Sequence, residues 1–291
     1  MAELIQLVVS GTATGAIYAL AALGFTLLWQ ASGTINFAQG EFVMLPAFAM
    51  VAFVSIGAPP WASLALACVA SMLLLGVGFK RIVVDPLIRH GVIPIVIATL
   101  GVSIAAKTMV RAGVDAQAHE FASVFPAGQL ALAGVSVSWA DIGTLALAGA
   151  IVVALTAFLE RTVTGRAMQA VAQNADAARV LGIDVGRMVL YTFLLNGVLA
   201  AAAAFLVAPT YLVKFDMGDS IGQKAFFAAI VGGFNQARGA LLGGVLIGIL
   251  ENLVGFYLSA QYKEGVALML FLVVILFRPE GLVGRVEERK V

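Results

Sequence analysis

The chain has 291 residues, 62% hydrophobic and only 11% charged, with 17 basic and 16 acidic side chains and a formal net charge of +1. Soluble domains carry roughly 45–50% apolar and about 25% charged residues, and so little polar side chain could not cover this much apolar surface in water. That excludes a water-soluble globular domain, and the near-neutral charge carries no signature of nucleic-acid binding. The one cysteine, Cys68 inside an apolar stretch, excludes a disulfide framework or a thiolate metal site.

A helix needs about 20 apolar residues to cross about 30 Å of hydrocarbon, and backbone groups in lipid must be satisfied internally. The expected fold is therefore an all-α polytopic membrane protein with about eight to nine transmembrane elements, some broken or re-entrant, forming a single transmembrane domain over residues 1–291. The N-terminal "MAEL" lacks the basic region of a cleaved signal, so the first apolar segment is expected to stay as an anchor. Spans are predicted at 4–29, 42–57, 61–79, 92–110, 141–159, 188–208, 239–258 and 265–277. A further segment, 224–234, is too short to cross alone and ends at a Gly-Gly pair; it either belongs to a crossing element or makes a re-entrant turn.

Basic residues set the orientation. The loop 160–187, with Arg161, Arg166, Arg179 and Arg187, and the tail, with Arg278, Arg285, Arg289 and Lys290, should both be cytoplasmic. The loop 80–91, with Lys80, Arg81 and Arg89, falls on the same side, and 111–140 and the N-terminus fall outside. The tail reaches the inside only if 224–234 contributes a crossing. Gly11/Gly15, Gly239/Gly243 and Gly244/Gly248 have the spacing that lets membrane helices approach closely.

Three polar interruptions follow in chain order. In "TINFAQGEF", 34–42, Thr34, Asn36, Gln39 and Glu41 sit between apolar runs, with Gly33 and Gly40 as helix weakeners. One reading is a break facing protein or a watery cavity, with Asn36 and Gln39 on one face and the costly carboxylate of Glu41 beside them. The other is a surface turn in which Asn36 caps a helix and Glu41 is a first-turn acid. The loop 160–187 predicts two short helices, one from Thr164 through Gln173 and a second capped by Asn174, ending at Leu181 with Gly182 in the left-handed position. It reads as a docking element shaped by Arg166, Asn174, Ala178 and Gly182, or as an amphipathic helix on the inner leaflet. The stretch 224–259 carries Lys224 and Arg238 at its breaks and Glu251 inside an apolar helix, and its Asn235-x-Ala237-x-Gly239 echoes Asn36-x-Ala38-x-Gly40, as an internal repeat would.

The chain has no G-x-x-x-x-G-K-[ST], H-E-x-x-H or G-x-S-x-G segment and only two histidines, His90 and His119. No catalytic or metal-ligating set is therefore expected, and the chain is read as a transport protein rather than an enzyme. A stand-alone secondary transporter of a small polar or carboxylate solute would use paired ionisable groups in its spans, and Glu41, Lys107 and Glu251 are thin material for that.

Four motifs together resemble one family. "GAIYALAALGFTLLWQASGTINFAQGEF", "GRAMQAVAQNADAARVLGIDVGR", "KAFFAAIVGGFNQARGALLGGVLIGILEN" and "LFRPEGLVGR" are similar, in order and spacing, to the LivH-like member of the permease pair, LivH and LivM, of bacterial ABC importers for branched-chain amino acids. The resemblance implies a translocation path near Asn36, Gln39 and Glu41, extended here to Asn235 and Glu251, and an ATPase-coupling role for 160–187. It implies as partners a LivM-like second permease, two ATPase subunits, a periplasmic solute-binding protein and the lipid bilayer of the inner membrane, and no nucleic acid. ATP and Mg would belong to the ATPase subunits, with no cofactor in this chain. The family commonly has His at the position of Gln39 and a Gly-Ser-x-x-Gly turn where this chain reads "GFNQARG". These departures leave the solute open among branched-chain and other amino acids, urea or amides, and aromatic acids.

Overall fold

The computed structural model describes residues 1–114, 117–132 and 135–284. Arg285, Arg289 and Lys290, which carry part of the orientation reading, lie outside the described residues. Among the described residues the chain forms α1 (Ala2–Ser32), α2 (Gln39–Ser55), α3 (Pro60–His90), α4 (Val92–Gly113), β1 (Gln129–Leu132), β2 (Val135–Ser138) and α5 (Trp139–Arg161). Then follow α6 (Val163–Gln173), α7 (Ala175–Val180), α8 (Val185–Tyr211), α9 (Met217–Gly232), α10 (Ala237–Tyr257) and α11 (Lys263–Phe277). The two strands pair antiparallel in the connection between α4 and α5, with β2 against α1.

Seven of the helices are long and apolar enough to cross a membrane, α11 with the 3-10 turn Ala260–Tyr262 before it. The remaining two membrane elements are shorter, α2 with 17 residues and α9 with 16, each about 25 Å at 1.5 Å per residue. With the seven candidate spans they give up to nine membrane elements among the described residues, against the eight to nine expected. The segment 224–234 resolves as the second half of α9. Beyond it the tail pairs with the end of that helix, Leu282 N–H donating to Val231 O at 2.8 Å and Val283 N–H to Gly232 O at 3.1 Å. Trp29 packs on Phe234 and Gln30 donates to Asn235 O at 2.6 Å. The C-terminal end of α1, the α9–α10 turn and the tail thus share one end of the bundle, the end that also carries α6.

One boundary needs correcting. The span predicted to stop at residue 79 continues to His90, so 80–91 is helical rather than a loop. Two stretches of α3, Met72–Gly78 and Lys80–Val84, are wound as π-helix, and Lys80 folds along the helix to pair with Asp85 at 2.7 Å. A hydropathy reading stops at the first cluster of charges, whereas a helix whose lysine is neutralised five residues on continues until Gly91, at φ 97°, ends it.

Helix α1 is the centre of the bundle. It is buried almost continuously from Ile17 to Leu28 and ends at Gly33, whose left-handed φ of 63° lets its N–H close on Trp29 O. It packs along α10 through a seam of small residues. A methyl group on Gly15 would lie 2.6 Å from Gly244 O and Val245 Cα, so the backbones touch in a way only glycine permits. Gly239 meets Gly232, and Gly243 meets Ala228, closing the α9–α10 hairpin in the same manner. All three glycine pairs singled out by spacing are contacts.

Candidate functional site

The linker 33–38 between α1 and α2 is non-helical and largely buried. Asn36 Oδ1 accepts from Ala38 N–H at 3.0 Å, and Phe37 N–H donates to Thr99 Oγ1 of α4 at 3.2 Å. Asn36 therefore caps its own turn, yet it is only 4% exposed and its Nδ2 finds no partner, so the turn is not a wet surface turn. Gln39 is the first residue of α2, which separates it from Asn36; the two do not share a helical face. Its side chain forms a reciprocal amide pair with Asn196 of α8: Gln39 Nε2 donates to Asn196 Oδ1 at 2.8 Å, and Asn196 Nδ2 donates to Gln39 Oε1 at 2.9 Å. The pair fits because α1 has Gly24 there; a methyl at that position would collide with both amides. Gly40 in turn lies against Gly218 and Gly222, bringing α2 and α9 together backbone to backbone.

Glu41 faces the other way, into a cavity of ≈270 Å³ between α2, α4 and α9 that includes Phe25, Phe37, Lys107, Asp219 and Phe226 in its lining. Lys107 Nζ lies 2.7 Å from Asp219 Oδ1 and 3.9 Å from Glu41 Oε1. The carboxylate of Glu41 is 3% exposed, whereas the side chains of Lys107 and Asp219 are 25% and 51% exposed. Charged side chains within membrane helices do not face lipid; they line protein interfaces or water.

Glu251 belongs to a second charged cluster, and this one is closed. Its carboxylate pairs with Lys224 Nζ at 2.7 Å and accepts from Tyr18 Oη at 2.9 Å. Lys224 also donates to Tyr18 Oη at 3.2 Å, and Tyr211 Oη lies 3.2 Å from the same hydroxyl. The two charged side chains are 8% and 3% exposed, and the network ties α1, α8, α9 and α10. A larger cavity of ≈610 Å³, lined by Tyr211, Lys214, Asp216, Ser220, Lys224 and Lys263, abuts it. Asn235 is elsewhere again, exposed in a cavity of ≈400 Å³ with Gln30, Met168, Gln169, Gln173 and Thr192 beside α6. The five residues predicted for a path thus do not share one site; of the two carboxylates, Glu41 itself lines a cavity, whereas Glu251 adjoins one only through Lys224.

Sequence reasoning passed over Asp219, Tyr18 and Asn196 as members of these clusters, and weighed Lys107 with Glu41 only as thin material for an ionisable network. Lys107 had a usable signal, being the one charged residue in the predicted span 92–110. Asp219 had none, since it lay in the gap between two predicted spans.

The segment after α5 forms the two predicted short helices with one shift at the start. Thr162, not Thr164, is the cap, its Oγ1 accepting from Gly165 N–H at 2.9 Å. Gly165 is required there because its neighbour is the backbone of Leu159, 2.6 Å from where a methyl would sit. Asn174 Oδ1 accepts from Asp176 N–H at 3.1 Å and Ala177 N–H at 2.9 Å, and Gly182 has the left-handed φ of 82°. Met168, Val171 and Ala178 are buried, Arg166 is exposed, and Val180 and Leu181 project outward, 87% and 79% exposed.

Seven helices long and apolar enough to cross a membrane, a broken first helix pair, charged cavities within the bundle and an ordered helical loop at one end fit a multi-pass membrane permease. The chain belongs to the family described as branched-chain amino acid transport system / permease component, which it matches over residues 7–275. It is 33% identical over 304 residues to the high-affinity branched-chain amino acid transport system permease protein BraD of Pseudomonas aeruginosa, covering 99% of this chain and 98% of that one. It is 31% identical over 303 residues to the corresponding LivH of Escherichia coli, covering 99% and 97%. A more distant relative is the autoinducer 2 import system permease protein LsrC of Yersinia enterocolitica, 27% identical over 74% of this chain and 60% of that protein. No solved structure matches the chain.

Proposed function

We propose that this protein is the LivH-like half of a permease pair in the inner membrane of a bacterium, importing branched-chain amino acids or a related small solute. A LivM-like permease completes the passage, two ATPase subunits dock at α6 and α7, and a periplasmic binding protein delivers the solute. The observation that supports this most is the half-exposed Lys107–Asp219 pair beside the buried Glu41, on a face of membrane helices that lipid cannot cover. A second permease over that face would enclose a polar passage between two walls of helices. The exposed Val180 and Leu181, held on a capped and glycine-terminated turn, offer an apolar knob for an ATPase groove. Closure of the ATPases on nucleotide would then move α6 and α7 and shift the pair between its outward-facing and inward-facing arrangements. Family membership favours this over a stand-alone secondary transporter.

The test is uptake of radiolabelled leucine into vesicles reconstituted with the chain, its co-encoded permease and ATPases, and the binding protein. Uptake should require ATP and the binding protein, and Gly182→Val should reduce it severalfold, because a β-branched residue in a left-handed conformation costs about 1–2 kcal/mol, while insertion and basal ATP hydrolysis persist. Uptake driven by an ion gradient without ATP would overturn the assignment.

A further inference from the structure

The charge count in the cavity between α2, α4 and α9 is unbalanced. Two carboxylates, Glu41 and Asp219, share one ammonium, that of Lys107. Lys107 spends its short contact on the more exposed Asp219, at 2.7 Å, and remains 3.9 Å from the buried Glu41. That second distance is beyond hydrogen-bond range, so the buried carboxylate, which is met by the Ser103 hydroxyl, has the weaker cationic partner of the two. A buried carboxylate in that position is short of a cation. A lysine has three donors, and Asp219 occupies one of those of Lys107, so it can also receive a second anion. Around these groups stand Phe25, Phe37 and Phe226, with the backbone of Gly40, Gly218 and Gly222 completing the wall. The volume, ≈270 Å³, is just below the roughly 300 Å³ at which pockets for drug-sized molecules begin, which suits a small solute.

We propose that this cavity is a transient binding station for a zwitterion, with Glu41 and Asp219 receiving the solute ammonium, Lys107 its carboxylate, and the three phenylalanines its apolar side chain. The assignment rests on the importer reading above. Added in that orientation, the solute makes the charges alternate in sign, with every like pair separated by an opposite charge. A carboxylic acid without an amine would add a third negative charge, and an amine without a carboxylate would leave the free donors of Lys107 unused and place two cations side by side. The half-exposure of Asp219 keeps the station weak, as a conduction site must be if the solute is to leave it. The Lys224–Glu251 pair differs in that its charges are matched one to one within the protein, although Glu251 Oε1 itself accepts no hydrogen bond.

The experiment uses the purified complex of the chain with its partner permease and ATPases, without binding protein, in a Cys68→Ala background carrying Gln223→Cys on the cavity rim. Alkylation of the new thiol by N-ethylmaleimide is timed with millimolar leucine, isoamylamine or 4-methylpentanoate. Leucine should slow the reaction severalfold, the two single-charge analogues should not, and Glu41→Gln and Lys107→Gln should each abolish the protection. Ile104→Cys on the same wall provides a second reporter should Gln223→Cys impair assembly. Equal protection by isoamylamine, protection that survives both charge removals, or no protection by leucine at either reporter would overturn the station. ATP-driven uptake by the parental complex, measured alongside, separates the two levels: uptake without protection removes only the station, and absence of both removes the importer reading as well.

Discussion

Two clusters of charge lie within the same helical bundle and share α9, yet they are built on opposite plans. At Lys224 and Glu251 the charges are matched one to one, 2.7 Å apart, and wrapped by Tyr18, with neither side chain more than 8% exposed. At Glu41, Lys107 and Asp219 the count is two to one, one contact is 3.9 Å, and one member is half exposed beside a cavity. Ionisable groups in membrane helices are costly in both places. The difference lies in what offsets the cost: the first cluster balances its charge within the protein, and the second does not. On the station proposed above, the unbalanced cluster rather than the balanced one is the working site.

The sharpest way to break this comparison is to disrupt the closed cluster. Glu251→Ala leaves Lys224 buried without its anion, and breaking a buried pair from one side costs about 3–5 kcal/mol. The variant should nearly vanish from membranes or melt far below the parent in detergent, and Lys224→Met combined with Glu251→Leu should recover much of the loss. Asp219→Asn in the open cluster should behave differently, with parental abundance and melting but reduced uptake. Parental melting of Glu251→Ala, or collapse of Asp219→Asn, would erase the distinction.

The Gln39–Asn196 pair is an intermediate case, sealed but uncharged. Asn196→Leu strands the Gln39 amide and should destabilise the protein by about 1–3 kcal/mol. A double-mutant cycle with Gln39→Leu should give a coupling near 0.6 kcal/mol and no more than about 1.7, the range found for hydrogen bonds between membrane helices. A coupling indistinguishable from zero would mean that the break between α1 and α2 is held by the glycine contacts of Gly40 alone.

The smallest effect is expected where the polar contact is wet. Asn174→Ala removes an exposed helix cap worth about 1 kcal/mol. Faster amide hydrogen exchange confined to Ala175–Val180, with the melting of the bundle unchanged, is the expected signature; a lowered global melting temperature would show that α7 is part of the core.

Much of the architecture was legible in the chain itself. Long apolar runs located the spans, small-residue spacing located the α1–α10 and α9–α10 contacts, and Asn174 and Gly182 bounded α7 correctly. These are local signals. The interiors of the sites are not local: Gln39 meets Asn196 across 157 positions, Lys107 meets Asp219 across 112, and Tyr18 meets Glu251 across 233. Whether Gln39 and Glu41 turn to the same side of a break depends on what stands opposite each of them, and no periodicity encodes that. The extension of α3 past residue 79 was hidden for a related reason, since Lys80 looks like a loop residue until its pairing with Asp85 is known.

The seam between α1 and α10 also has a consequence for how the protein is made. Tyr18 leaves the ribosome 233 residues before the Glu251 to which it is bonded, a delay of roughly 12–47 s at about 5–20 residues per second. For that interval α1 sits in or beside the bilayer with Gly11, Gly15 and a tyrosine hydroxyl bare of their lasting partner. Helix α8, which also packs on α1, is synthesised first and can shield only part of that surface. The first helix made is therefore among the last to be completed, and nascent chains truncated before α10 should remain bound to the insertion machinery rather than be released as stable bundles.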